Sequence, residues 1–465
     1  MNGPEQLPAG QNPRPVTAAT TWSIILWIVL LLLVALIACL EHQPSEQVKP
    51  LTESLSTHDS FELRLIGQYA VAANRLSQTH LTASGNGLNL LLDHIENLAH
   101  SPLDQLRAVT LYSEIAGAEM AVRRLDELME GGELDADSLP GAAILHDIYN
   151  DQGRPLSGEQ RQQLIAQHGW FGKLAISFRL PDDDPLRKQA MEPAINKMIL
   201  LLLMGTLIIL AGLAGTTLFI VAIVLLCTGK VHRAYQCRPG QKDQRRYVYL
   251  EVAVIYLAAV MGLGLLRDFI QLRFAMNPTW LMLLIVLGIP CWPLLRRTTW
   301  RQLQQDLGWQ RGRGIWREVG AGCVGYLAGL PILAAGLVIF VVLITFSNKT
   351  PTHPIMHELF NAHGWRVVSL FALAAVWAPV TEETIFRGAL YHYLRGWARP
   401  VTASVVVGVL FAMIHPQGYV AIPALTAIAV VFALIREWRG SIIGSAVAHS
   451  LHNSMAVVLF FLLAR

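Results

Sequence analysis

Charged residues make up only 15% of this 465-residue chain, against about a quarter in ordinary soluble domains, while 53% of its residues are hydrophobic. So little charge excludes a water-soluble globule of this length and puts the chain in the membrane class. Cysteine is also sparse. Cys39, Cys227, Cys237, Cys291 and Cys323 form no CxxC pair, which excludes a disulfide framework or a thiolate metal site.

What is present is a series of apolar runs free of charge, at about 22–40, 198–227, 252–266, 280–295, 321–346, 367–380, 401–414, 420–435 and 442–463. Several reach the roughly 20 residues needed to cross a bilayer, and the shorter ones need flanking residues to do so. The expected fold is therefore all-α, a polytopic transmembrane helical bundle of about nine spans. With the N-terminus inside, seventeen Lys and Arg residues fall in inside loops and only Lys197, Arg267, Arg273, Lys349, Arg366 and Arg465 outside. The positive-inside rule then gives an N-in, C-out protein. Leu36-Ile-Ala-Cys39 resembles a lipobox, which would make Cys39 a lipidated N-terminus. The preceding run is long for a signal core, however, and Arg14 is its only basic residue.

Domain boundaries follow from composition. Residues 1–41 form a tail and first span, 42–194 an extracytoplasmic soluble helical domain, 195–320 further spans with basic cytoplasmic loops, and 321–465 the segment carrying the chemistry. The polar insert holds 22 acidic and 12 basic residues, a net charge of −10 within a chain of +3. Leu65, Tyr69, Ala72 and Leu76 recur at helical spacing. Ser101-Pro102 predicts an N-cap followed by proline at the first helical position, and 151–155 and 181–185 read as turns. No catalytic constellation stands out in this domain, and a sensor or docking module is the expectation.

The segment Ala378-Pro-Val-Thr-Glu-Glu-Thr-Ile-Phe-Arg-Gly388 sets two carboxylates and an arginine inside an apolar run. Each such charge costs roughly 2.5–3.5 kcal/mol at the bilayer centre, so ionisable groups there mark a functional site. Adjacent helical residues point about 100° apart, so Glu382 and Glu383 need not share a task. Glu383 and Arg387 are spaced i, i+4 in the favourable order for an ion pair, which leaves Glu382 as candidate general base. Pro379 removes a backbone donor and is expected to kink the helix. His415 on one later helix, and His449 with Asn453 on another, fall at a similar depth of about 13–22 Å from the inside helix ends at 1.5 Å per residue. His449 and Asn453 share a helical face and suit donors to an oxyanion. His415 suits a group sharing a water with Glu382.

Together, Pro379-x-x-Glu382-Glu383-x-x-Phe386-Arg387-Gly388, Phe411-x-x-x-His415 and His449-x-x-x-Asn453 resemble the three-motif signature of the CPBP intramembrane protease family. That family includes type II CAAX prenyl endopeptidases and the Abi, or bacteriocin-immunity, proteins. The resemblance covers about 321–465. It implies an intramembrane endopeptidase in which Glu382 and His415 activate water, Glu383 and Arg387 support them, and His449 and Asn453 serve as oxyanion or ligand groups.

The function expected is hydrolysis of a peptide bond in a bacterial inner membrane, with lipid and a peptide or membrane-protein substrate as partners and no nucleic acid. Two histidines and a glutamate can hold zinc, and Glu382, His415 and His449 would suffice. Water activation without an ion is equally coherent, and Asn453, better suited to an oxyanion donor than to a ligand's neighbour, favours that form. The alternative is a catalytically idle adaptor or immunity protein of the same fold, though a pure binder has no need of the costly acids. A proton-coupled carrier is disfavoured by the lack of an inverted broken-helix repeat. His357-Glu358 with His363 lacks HExxH spacing and reads as a solvated loop. The basic run 230–246 reads as a lipid-facing inside loop rather than a nucleic-acid surface.

Overall fold

The computed structural model describes residues 18–41, 61–80, 85–150, 156–231, 233–235, 246–274, 278–347, 355, 358–359 and 362–464. Among these residues the protein is built from helices, with no strand. It divides into two compact units, 45–210 with 459–465, and 1–44 with 211–458.

The first of these units largely contains the expected polar insert. Its helices are α2 Phe61–His80, α3 Gly85–Leu98, α4 Pro102–Ile115, α5 Ala118–Glu130, α6 Leu139–Asn150, α7 Gly158–His168 and α8 Trp170–Ile176, with the start of α9 Pro185–Cys227. Local chemistry sets several of their ends. Ser101 caps α4 by accepting from the Asp104 amide, with Pro102 at the first helical position. A capping box between Ser157 and Gln160 opens α7. The Asp184 amide bonds the Pro181 carbonyl at 3.0 Å, closing the turn before α9. Helix α4 is apolar on two sides. Leu106 and Val109 pack with Leu125, Leu128 and Leu145, while Leu111 and Ile115 pack with Leu63, Val71 and Phe171.

Helix α2 forms where the spacing predicts one, with Ala72 buried and Leu65 half-buried. Leu63, Gly67, Ala70 and Val71 turn inward, whereas Tyr69 is 46% exposed. The reason is close packing. A side chain at Gly67 would stand 2.7 Å from Leu111 Cδ1, so the glycine sets the face on which α4 lies. The turn expected at 151–155 lies outside the described residues.

The second unit holds α1 Ala18–Glu41, the rest of α9, α10 Tyr247–Phe274, α11 Thr279–Gly288, α12 Trp300–Leu307, α13 Ile315–Ala328, α14 Leu330–Phe346, α15 Trp365–Leu394, α16 Pro400–Met413, α17 Tyr419–Arg439 and α18 Ile442–Ala464. Among the described residues six helices are long and apolar enough to cross a membrane: Thr21–Leu40, Pro185–Cys227, Tyr247–Phe274, Trp365–Leu394, Tyr419–Arg439 and Ile442–Leu462. Two bent pairs raise the number to at most eight. This is the multi-pass helical bundle the composition requires, with fewer clear spans than the nine expected.

Two local causes account for the difference. The run at 280–295 continues into α12 through a 120° bend. Arg297 turns the chain there with φ +66°, and a Thr299–Gln302 capping box starts a new helix direction. The run at 401–414 is the 14-residue α16, about 21 Å long and short of a hydrocarbon core about 30 Å thick. The other bend, of 45°, joins α13 to α14 at Gly329.

Small residues bring the helices of this unit close. A Cβ at Gly336 would stand 2.5 Å from Ala427 Cβ, and one at Gly329 would stand 2.4 Å from Val431 Cγ1, so α14 lies directly on α17. Backbones that approach this closely replace the hydrophobic drive that lipid cannot supply between helices. Helix α1 is part of the same core. Leu26, Leu30 and Val34 are buried with Leu250 and Leu257 of α10, Trp22 Nε1 donates to Glu251 at 2.8 Å, and Trp27 Nε1 donates to Tyr393 Oη at 3.1 Å.

Candidate active site

Helix α15 is not a regular α-helix where it carries the paired acids. Its bonds widen to i→i−5 over Leu373–Trp377 and again over Glu383–Leu390, with an α-helical turn, Ala378–Glu382, between them. Pro379 falls in that turn and can donate no amide hydrogen. Single π-turns of this kind recur at functional sites. Here they turn the two neighbouring glutamates toward different surroundings. Glu383 is fully buried, while Glu382 keeps about 20% of its side chain accessible.

The buried glutamate anchors the site. Arg387 Nη1 lies 2.9 Å from Glu383 Oε1, and neither side chain is exposed. Arg387 Nη2 also donates to the Ala429 carbonyl at 3.0 Å. Its guanidinium sits over the rings of Phe411 and Phe432, at 4.7 and 5.3 Å, where desolvation strengthens a cation–π contact. The expected Glu383–Arg387 pair is therefore present, held by α16 and α17 as well as by its own helix.

His449 joins both acids. Its Nδ1 lies 3.0 Å from Glu383 Oε1 and its Nε2 3.8 Å from Glu382 Oε2. A carboxylate that already neutralises Arg387 acts as acceptor, so Nδ1 carries hydrogen and donates. That leaves Nε2 toward Glu382, placed to give or take a proton. The imidazole stacks on Phe432, with centroids 4.8 Å apart and planes 23° apart. Glu382, which the spacing leaves free, thus has a histidine partner.

His415 follows the end of α16, where its Nδ1 lies 2.6 Å from the Phe411 carbonyl. A carbonyl only accepts, so this nitrogen carries the proton and Nε2 is the basic one. Its ring packs on Phe411 at 4.2 Å, and Phe411 lies edge-on to His449 at 6.1 Å. One aromatic side chain therefore borders both histidines. Asn453 Nδ2 donates to the Ala374 carbonyl in the first wide turn at 2.8 Å. This ties α18 to α15 and leaves the second amide hydrogen as the only one Asn453 can offer to another acceptor.

The ligand set Glu382, His415 and His449 does not come together as a metal centre. Among the described residues no three His, Cys, Asp or Glu side chains stand close enough to hold an ion. Glu358 is exposed and paired with Arg366, though 358–359 are helical rather than the loop expected, and His357 lies outside the described residues. Cys39, Cys227, Cys291 and Cys323 are free thiols, and Cys237 lies outside the described residues.

Several partners in this site carry no motif. Phe432 and Ala429 lie on α17, which contributes no polar residue to the signature, and Thr384 receives the Trp309 indole N–H at 3.2 Å. Glu437 binds Arg395 through both oxygens at 3.0 and 3.1 Å and accepts from Tyr391 Oη at 2.9 Å. A glutamate one residue after a fully buried Arg436 was the available signal, hidden among what reads as an inside basic cluster.

Residues 364–455 match the family model described as type II CAAX prenyl endopeptidase Rce1-like. The C-terminal part of this multi-pass protein therefore carries an Rce1-like domain, consistent with the CPBP family of proteases. No curated protein and no solved structure matches the chain.

Proposed function

We propose that the Rce1-like domain hydrolyses a peptide bond of a peptide or membrane-protein substrate at membrane depth, with Glu382 as general base. The observation that carries this reading is the asymmetry of the two acids. Glu383 is spent on Arg387 and His449, whereas Glu382 remains partly accessible with His449 Nε2 beside it. Glu382 takes a proton from water, and the water oxygen bonds to the substrate carbonyl carbon as the carbonyl electrons move onto its oxygen. The donors for that oxyanion are the Asn453 hydrogen not held by Ala374 and the Nε2–H of His449 in its doubly protonated, imidazolium form, Nδ1–H being held by Glu383. Collapse breaks the C–N bond, and the amine leaves with the proton returned from Glu382, directly or through His449. His415 offers its basic Nε2 to the same water. No cofactor enters these steps.

Charge placement supports the setting. The excess of basic residues in the loops read as inside favours a cytoplasmic N-terminus with the polar unit outside, and the proposed setting is a bacterial inner membrane, in contact with lipid and not with nucleic acid.

The test is cleavage of a peptide library by the full-length protein in detergent, run in 18O-labelled water with and without a strong chelator. Wild type is expected to yield products carrying one 18O in the new carboxylate, unaffected by chelation. Cleavage by Glu382→Gln should fall by about 10²–10⁴, the usual worth of a general base. Products without label, or equal turnover by Glu382→Gln, would remove the assignment. Activity lost to chelation and restored by zinc would reject the metal-free form of it.

A further inference from the structure

Outside the Rce1-like domain, α3, α4 and α5 enclose an open cleft of about 280 Å³. Its walls are tied by one cation. Arg124 of α5 reaches Glu96 of α3 at 2.6 Å and Glu127 at 3.0 Å, so one cation is shared by two carboxylates and has no further charge to offer. Two charges on the same walls are not. Asp93, one turn before Glu96, has no cation within ion-pairing distance among the described residues, and the bond Arg123 makes is to Met120 Sδ at 2.8 Å.

Tyr112 of α4 stands between these walls. It is only 6% exposed, yet its hydroxyl bonds no described protein group and opens toward the cleft. Burial first, and the nearby Glu96 carboxylate next, push its phenol up to about 12 against the opposing pull of Arg124, so the hydroxyl keeps its proton and can both donate and accept. The site therefore offers an anion, a cation, a neutral hydroxyl and an apolar lining of Leu92, Met120 and the Tyr112 ring. Its volume lies just below that of drug-sized small-molecule sites, which begin at about 300 Å³, and suits a ligand of few heavy atoms.

We propose that this cleft binds a free amino acid or short peptide by its charged ends, with the ammonium group at Asp93, the carboxylate at Arg123, and the side chain on Leu92 and Met120. Both ends are needed. A ligand with a single charge satisfies one wall and leaves the other solvated, and a charge-assisted hydrogen bond to an arginine or a carboxylate is about twice as strong as a neutral one. The site is separate from the intramembrane acids and does not depend on their assignment.

The test uses the full-length protein in detergent, with L-leucine and leucyl-leucine as probes beside N-acetyl-leucine and leucinamide, read by thermal unfolding and by calorimetry. The free amino acid or the dipeptide is expected to raise the unfolding temperature progressively up to about 10 mM, as stabilisation by RT ln(1 + L/Kd) requires, with L the free ligand concentration. The N-acetyl and amide forms should bind at least about tenfold more weakly. Asp93→Asn and Arg123→Gln change exposed side chains, so both should fold as wild type and lose binding to the same degree. Tyr112→Phe should weaken binding without abolishing it. No shift with any probe, equal binding of blocked and free forms, or unchanged affinity in both charge variants would overturn the proposal.

Discussion

The polar unit and the membrane unit treat charge in opposite ways. In the polar unit most ionic contacts are between neighbours or half-exposed, such as Arg124 with Glu127 three residues on, and helix ends are set by Ser101 and Ser157 acting on their own chain. In the membrane unit the buried ions are bridged across helices far apart in sequence. Glu383 reaches His449, Glu437 reaches Arg395, and Glu318 reaches Arg439. Water can complete an imperfect pair in the first setting and cannot in the second, so the membrane unit pairs its buried charges with fixed protein partners, although Glu383 Oε2 and Arg387 Nε keep no hydrogen bond among the described residues. The active-site candidate is the place where that rule is relaxed, at the partly accessible Glu382.

The sharpest way to break this comparison is to remove one member of a pair from the membrane unit. Arg387→Ala leaves Glu383 as an uncompensated buried charge and should cost about 3–5 kcal/mol. Unfolding in detergent measures it. The double change Glu383→Leu with Arg387→Met should recover much of that loss, because an apolar pair needs no counter-charge. A double variant no more stable than Arg387→Ala would show that the pair's worth is not electrostatic.

A buried histidine of the polar unit sets a pH dependence. His168 is buried against Gly141, and burial first, with the Arg107 charge second, lowers its pKa from 6.5 to about 4. The folded state therefore holds the imidazole neutral, and the unfolded chain takes up a proton first as pH falls. Its contribution to stability is present above about 6.5 and is lost as pH falls toward 4, by up to about 3 kcal/mol at 1.36 kcal/mol per unit. His168→Gln should flatten the stability profile of this unit between pH 6.5 and 4. An unchanged acid limb would contradict the buried neutral state.

Packing gives the next effect. Gly336→Val would press into Ala427 Cβ and the Pro423 carbonyl, and overpacking of this kind costs about 1–3 kcal/mol. The smallest change is in the polar unit, where Ser157→Ala removes the α7 cap for about 1 kcal/mol. A larger loss from the cap than from the glycine would reverse the contrast between local and cross-helix stabilisation.

What the sequence made legible follows the same division. The Glu383–Arg387 pair and the Ser101 cap are local patterns, and each appears where its spacing put it. The bend after Leu295 was hidden because Arg297 at positive φ carries no residue-type signal, unlike a glycine. The pairing of Glu382 with His449 joins residues 67 positions apart, which helical periodicity does not encode. Phe432 escaped for another reason: it is one apolar residue in an apolar helix, and only the fold shows that it holds both Arg387 and His449. Arg395 and Arg439 read correctly as loop-proximal, yet each is bound to a glutamate of the bundle rather than left to lipid headgroups.

The central claim is that adjacent carboxylates on α15 have divided roles, Glu382 for chemistry and Glu383 for holding the site. The direct measurement is peptide cleavage and unfolding temperature on the same preparations of wild type, Glu382→Gln and Glu383→Gln. Glu382→Gln should lose cleavage while unfolding within about 1 kcal/mol of wild type. Glu383→Gln should lose both, because the buried Arg387 loses its counter-charge and His449 its charged acceptor. Full cleavage by Glu382→Gln, or the same loss of both properties in the two variants, would contradict the division.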